Sequence, residues 1–294
     1  MAATNNRNPS IEDIILDNDN RGVSALRPFL PVDYCQEAAR WILARRASAE
    51  KPVIITTGFY ILNSQAPETD GPPGAIALGR ALDTLGFKVF YVTDRYCLSF
   101  LDIGGEERGE IIEFPIADHT ESAQFAQNLL SEIKPAMVMS VERCGFTENR
   151  RYLNMRGKDI SEFTAKVDYL FPATENTLGV GDGGNEIGMG NVVAQVKMTP
   201  SLPDDPAVTP VNQLIIASVS NWGAYGLVAA LSLLCQQDLV PSAGWEKDLI
   251  QVLNSKGAVD GITGEKTGGV DAFDPEQNAV PISRLKQLVA SKIR

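Results

Sequence analysis

Short apolar runs alternate with helix-period segments through most of this chain, and that alternation limits the fold more than any other feature. "PVIITT" (52–57), "KVFYVT" (88–93), "EIIEFPI" (110–116), "AMVMSV" (136–141), "TLGVG" (177–181) and "QLIIASV" (213–219) read as buried strands. Helical patterns lie between them: 33–49 with Asp33 as N-cap, 73–86 with Pro73 in its first turn and Gly86 just past its end, 121–133, 161–171 with Ser161 as cap, and 223–237. The tail is expected to be helical over 244–257 and 282–293. Strand and helix in alternation predict an α/β fold: a mainly parallel, doubly wound (Rossmann-like) sheet with helices on both faces. Residues 1–20 read as an N-terminal extension and 21–294 as the α/β domain, with no internal repeat and only a weak linker candidate in "TPSLPDDPAVTP".

Four polar loops each follow an expected strand: "TGF…ETDGPPG", "ERCGFTENRRYLNMRGKD", "GDGGNE" and "SNWGAYG". Open α/β sheets bind ligands beyond the carboxyl ends of their strands, so four unusual loops on one edge predict a site there.

Composition narrows what the site can bind. The formal net charge of -11 argues against nucleic-acid or anionic-membrane partners, although a local cationic pocket could still hold a small anion. No apolar run is long enough to span a membrane. The first twenty residues have no signal-peptide apolar stretch, and Glu12, Asp13, Asp17 and Asp19 are too acidic for an ordinary mitochondrial presequence. Cytoplasm is therefore the expected compartment. The four cysteines are widely spaced and read as reduced thiols. A homo-oligomer is compatible with all of this.

The twelve residues "GVGDGGNEIGMG" (179–190) carry Asp182, Asn185 and Glu186 in a run that is half glycine. Gly179, Gly181 and Gly184 match a dinucleotide fingerprint, but two carboxylates facing a pyrophosphate would repel it. A divalent cation removes the conflict. A helix starting here would put Asp182 and Glu186, four apart, on one face. Carboxylates suit hard ions such as Mg²⁺ or Mn²⁺, and the N–H groups of Gly183 and Gly184 could receive a substrate carboxylate. The plainer alternative is that Asp182 caps a helix and Glu186 is solvated.

Arg143, Arg150, Arg151, Arg156 and Lys158 crowd one loop of an acidic protein, where a solvated basic face is the ordinary reading. Glu142 and Arg143, however, sit at the mouth of a buried strand. Arginine's planar fork suits carboxylates, which makes Arg143 and Arg156 the expected anchors, with at most one of Arg150 and Arg151 in the site. Thr69 and Asp70 lie in a proline-glycine turn, where Asp70 either caps the next helix or serves the site. Asn221 offers an amide at a strand end; Trp222 is expected in the core. The single histidine, His119, reads as structural, so proton transfer falls to carboxylates, a lysine, a tyrosine or a thiol. An acidified Cys144 beside Arg143 is the weaker reading against inert packing.

The ordered set "TGF…ETDGPPGA", "ERCG…NMRGKDIS", "GVGDGGNEIGMGN" and "SNWGAYGL" resembles the D-glutamate cyclase family, from about Arg21 to the "GAVDGITGE" stretch. The likeness is to the C-terminal domain of the vertebrate form, so a stand-alone version is expected, with the mitochondrial matrix as alternative compartment. The resemblance implies a lyase that closes D-glutamate to 5-oxo-D-proline without a redox cofactor, and a bound divalent metal, Mn²⁺ before Mg²⁺. It carries over Asp70, Glu142, Arg143, Arg156, Asp159, Asp182, Asn185 and Glu186 as the site. Within that set the expected metal ligands are Glu142, Asp182 and Glu186. Arg143 or Arg156 would clamp the α-carboxylate, and Asp70 or Asp159 would take the ammonium proton. Two other classes stay open: a metal-dependent nucleotide or phosphoryl-transfer enzyme, and a non-catalytic amino-acid-binding protein.

Overall fold

All six apolar runs form strands in a computed structural model that describes residues 9–46, 52–102 and 109–293. In chain order the strands are Pro52–Thr57 (β1), a small hairpin of Tyr60–Ile61 (β2) and Ala66–Pro67 (β3), Lys88–Thr93 (β4), Gly109–Glu113 (β5), Met137–Val141 (β6), Thr177–Gly181 (β7) and Gln213–Ile216 (β8). The helices are Ile11–Ile15 (α1), Tyr34–Leu43 (α2), Pro72–Thr84 (α3), Leu98–Leu101 (α4), His119–Ile133 (α5), Val193–Met198 (α6), Ser220–Cys235 (α7), Ala243–Lys256 (α8) and Pro275–Ala290 (α9).

The large sheet has the order β5-β4-β1-β6-β7-β8, and every neighbouring pair is parallel. Counted by succession, that is the 3-2-1-4-5-6 arrangement of doubly wound folds. Right-handed crossovers place the helices of the two halves on opposite faces. Winding reverses between β1 and β6, so the chain leaves their carboxyl ends in opposite directions and opens a crevice there. That crevice is where the site lies.

Helix α7 is apolar on every side and buried from Ser220 to Ser232, which makes it a core helix rather than a surface one. It packs against α2 and α3. Gly74 permits the close approach of α3, because a Cβ there would lie 2.9 Å from that of Ala224 and 3.0 Å from Cα of Asn221. Both helices therefore start at the crevice, side by side.

Several expectations need correction. The extension boundary at residue 20 is too late: Ile11, Ile14 and Ile15 of α1 join the common core, and Ser218 N–H donates to the Ile15 carbonyl; residues 1–8 lie outside the described residues. The expected helix over 161–171 is two 3-10 turns, Ser161–Phe163 and Val167–Leu170. It is interrupted at Thr164, which is extended, and Asp168 is drawn inward to bond neighbouring loops. Helix α9 begins seven residues before 282, since Asp274 as N-cap and Gln277 as N3 form a capping box with Pro275 in the first turn. Asp33 stands at the start of α2 without capping it through its side chain. Nor is "TPSLPDDPAVTP" a linker: it straps the glycine run, with Ala207 N–H donating to the Gly184 carbonyl.

Candidate active site

Glu142 is the first residue after β6, and its backbone turns left-handed, φ 44°. A bulky residue rarely adopts that conformation without surrounding bonds to hold it. Here its N–H donates to Val180 and its carbonyl accepts from Gly58, the residue after β1. The two strand ends at the switch point are thus tied together, and the Glu142 side chain is aimed across the crevice. No helix begins at Asp182. The glycine run is instead an irregular loop, with Gly184 at φ +97° and Gly188 at φ +110°, and the loop itself brings Asp182 and Glu186 to Glu142.

Carboxylate oxygens of Glu142, Asp182 and Glu186 lie within 4.8 Å of one another, and all three residues are buried. Each is steadied through one oxygen. Ser220 Oγ donates to Glu142 Oε2 at 2.6 Å, Gly184 N–H to Glu186 Oε2 at 2.8 Å, and Arg21 to Asp182 Oδ2. Burial pushes Glu142 and Asp182 well above the usual carboxylate range; Glu186 adds to this at Glu142, while Arg21 opposes it at Asp182. Burial also raises Glu186, against the pull of the Gly184 N–H. Such a cluster holds protons or a cation, because three ionised acids at this separation cannot share a dry pocket.

The donor set fits one hard divalent ion. Ligands at about 2.1 Å in octahedral geometry lie roughly 3–4.2 Å apart, which is the spacing these oxygens can reach. A further oxygen is available nearby. Asn185 Oδ1 is buried without a hydrogen-bond partner, and its orientation is fixed because Nδ2 donates to the Leu153 carbonyl at 3.1 Å.

These acids line a cavity of about 280 Å³. Phe59, Ile61, Leu62 and Met155 supply its apolar wall; Arg21 and Arg156 are the cations among its lining residues. Arg21 bridges Asp182 and, at 2.7 Å, Asp271. Neither Arg21, Asp271 nor the cavity-lining Glu68 was singled out from sequence as a site residue. Arg21 is separated from its two partners by 161 and 250 residues, so no local pattern marks the contact.

The other expected site residues fall into two groups. Asn185 and Arg156 line the cavity, Arg156 exposed at its mouth. The rest do not line the cavity, although the Asp70 carboxylate lies within 4.8 Å of those of Asp182 and Asp271. Arg143 is 1% exposed and points beneath the crevice, paired with Asp94 at 2.6 Å and donating to the carbonyls of Gly58 and Ala165. It is a strut, not an anchor. Asp70 does cap a helix, but it is α7: its carboxylate accepts from the N–H groups of Ser220 and Asn221. Asn221 returns the favour, its Oδ1 accepting from Gly71 and Gly74 at the start of α3 and its Nδ2 donating to the Thr69 carbonyl. Thr69 Oγ1 donates to Gly269. Asp159 is exposed and accepts from Ser161 N–H. The Gly184 N–H expected to meet a substrate already serves Glu186, and Gly183 lies under Met155. Neither Arg150 nor Arg151 lines the cavity.

Of the remaining groups, Trp222 is in the core, as expected, and donates to Asn278. His119 contacts Tyr169 Oη and the Arg150 carbonyl, away from the cavity. Burial pushes the Cys144 thiol well up, the opposite of acidification. No described helix is long and apolar enough to cross a membrane.

Comparison with known proteins points one way. A family model described as "D-glutamate cyclase-like, C-terminal" matches residues 11–286. The human protein named D-glutamate cyclase, mitochondrial, is 34% identical over 206 residues, covering 64% of this chain and 33% of that protein. The chain therefore spans about a third of the length of that curated relative. With the motif loops gathered at one switch point and the family model running nearly end to end, the chain belongs to the D-glutamate cyclase-like family, matching its C-terminal domain.

Proposed function

We propose that this chain is a lyase that dehydrates D-glutamate to 5-oxo-D-proline at the β1–β6 crevice, using a divalent ion held by Glu142, Asp182 and Glu186. The observation that carries the reading is the convergence of those three buried carboxylates on one wall of a small cavity. At about 280 Å³ the cavity is below the usual range for drug-sized ligands, which favours an amino acid over a nucleotide.

Ring closure has three requirements. The substrate must fold so that its amine meets its own γ-carboxylate, the ammonium must lose a proton, and the γ-carbon must accept a nucleophile. When bound, Mn²⁺, or Mg²⁺ in its place, supplies Lewis-acid polarisation of the γ-carboxylate. Arg156, which lines the cavity and is exposed, would hold the α-carboxylate, and Asn185 Oδ1 would offer an acceptor beside the acids. Phe59, Ile61, Leu62 and Met155 exclude water and favour the compact conformer, which removes much of the entropic cost of attack. Each nitrogen-bound proton that is lost leaves in the departing water, so the reaction needs no oxidant and no second substrate.

The test is to incubate Mn²⁺-loaded protein with each enantiomer of glutamate and follow lactam by mass spectrometry. Lactam from the D-enantiomer is the expected outcome. Absence of lactam from both enantiomers would overturn the assignment; tight binding without conversion would make the protein an amino-acid sensor instead.

A further inference from the structure

We propose that Glu68 forms the ammonium subsite of this cavity and is the group that takes the first proton from the bound amine. This rests on the reading of the cavity as a glutamate site. The two carboxylates expected from sequence for the role do not line the cavity: Asp70 caps the α7 N-terminus, although its carboxylate also lies within 4.8 Å of those of Asp182 and Asp271, and Asp159 is exposed. Glu68 lines the cavity, is 5% exposed, and accepts no hydrogen bond from the described residues. A buried carboxylate left without a donor is costly unless a ligand supplies one. An ammonium group supplies three.

The position of Glu68 is built, not incidental. Its N–H donates to the Phe59 carbonyl, and the residue bridges in parallel to Val259, so its backbone is held from both sides. Its carboxylate rests against Gly261, where a Cβ would come within 1.9 Å of Oε2. Gly261 is not required by a left-handed φ; the glycine leaves room for this acid. Among the described residues Glu68 belongs neither to the group Glu142, Asp182 and Glu186 nor to the converging group Asp70, Asp182 and Asp271, which leaves it available to the substrate. Burial, then Asp271 and Asp70, push its carboxyl well above the ordinary range, which makes it a stronger base than a solvated glutamate.

The proton inventory closes. Glu68 takes one proton from the ammonium, and the freed lone pair attacks the γ-carbon, forming the C–N bond. The nitrogen loses a second proton as the tetrahedral centre collapses. One γ-oxygen leaves as the C–O bond breaks, carrying off that proton and the one Glu68 returns, so the products are the lactam and one water.

The experiment uses the Mn²⁺-loaded full chain, wild type against Glu68→Gln, with two probes: D-glutamate and glutarate, a dicarboxylate of the same length without the amine. Lactam formation is followed by mass spectrometry, affinities by calorimetry, and metal content by elemental analysis. Glu68→Gln is expected to keep its metal and its glutarate affinity, to lose the preference for glutamate over glutarate, and to form lactam on the order of 100-fold more slowly. Lactam formation within about threefold of wild type, or an equal loss of both ligands, would overturn the proposal. If wild type forms no lactam, the cyclase reading fails by itself. The subsite is then judged on binding alone: a glutamate preference that Glu68→Gln abolishes supports it, and the absence of one overturns it. Should Glu68→Gln not fold, Gly261→Ala carries the same test, since its methyl displaces the Glu68 carboxylate without changing charge.

Discussion

Two groups of buried acids are treated in opposite ways. Beneath the crevice, Asp94 faces the Arg143 guanidinium, and Asp168 accepts from Tyr152 Oη at 2.6 Å, from Phe146 N–H at 3.1 Å and from the Thr209 hydroxyl. Asp70 is similarly engaged with α7. Within the crevice, Glu142, Asp182, Glu186 and Glu68 have between them one guanidinium and a handful of single donors. Both groups are equally hidden from water. What separates framework from site is therefore the supply of donors: where the protein furnishes them, the acid holds loops together, and where it does not, something from outside must.

That contrast can be broken from either side. The largest effect is expected from Asp94→Ala. Removing one partner of a buried ion pair leaves an uncompensated charge and costs about 3–5 kcal/mol, and the Arg143–Asp94 pair is 1% and 4% exposed. Chemical denaturation should show that loss while Mn²⁺ affinity, measured on the fraction that remains folded, is unchanged. An Asp94→Ala protein of wild-type stability that no longer binds the ion would dissolve the distinction.

On the other side, Asp182→Ala and Glu186→Ala should each weaken Mn²⁺ binding by at least about 100-fold, since loss of even an outer hydrogen-bond partner can reach that figure. That corresponds to about 2.7 kcal/mol of binding, and lactam formation should fall with it. Calorimetric titration with Mn²⁺ measures the first and mass spectrometry the second. Metal content and lactam both unchanged in either variant would remove the three-carboxylate site.

The same contrast explains what could be read before the structure. Six strands and most helices were legible because hydrophobic period is a local property, and a mainly parallel, doubly wound sheet followed from their alternation; the strand order itself came from the structure. Glu142, Asp182 and Glu186 were legible because each sits in a loop directly after a strand. Orientation was not. Arg143 adjoins Glu142 and Asn221 stands in the first turn of α7, yet both are bonded to the framework, since the side chain near a strand end can face either way and only the neighbours decide. Arg21, Glu68 and Asp271 carried no signal of their own. Each is one ordinary charged residue whose meaning comes from partners far along the chain, and in "ETDGPPG" the adjacent turn drew attention to Thr69 and Asp70 instead of Glu68.

Glu246 sharpens the comparison, because it is an acid short of donors that does not line the cavity of the acids. It is 2% exposed on α8 and, among the described residues, its carboxylate accepts only from Tyr225 Oη of α7, at 2.9 Å. Burial chiefly, opposed by that hydrogen bond, brings its pKa to about 8, against about 4.3 when unfolded. The native state therefore binds the proton more tightly than the unfolded chain. The benefit is complete below about pH 4.3 and is lost as pH rises towards about 8, at up to roughly 1.4 kcal/mol per pH unit. Glu246→Gln keeps an acceptor for Tyr225 and cannot ionise. Urea unfolding of the metal-free protein should then show equal stabilities for the two proteins near about pH 4 and an advantage for the variant near about pH 9. Parallel pH profiles would mean that a buried acid with a single donor is at ease here, and donor supply would no longer tell the site from the scaffold.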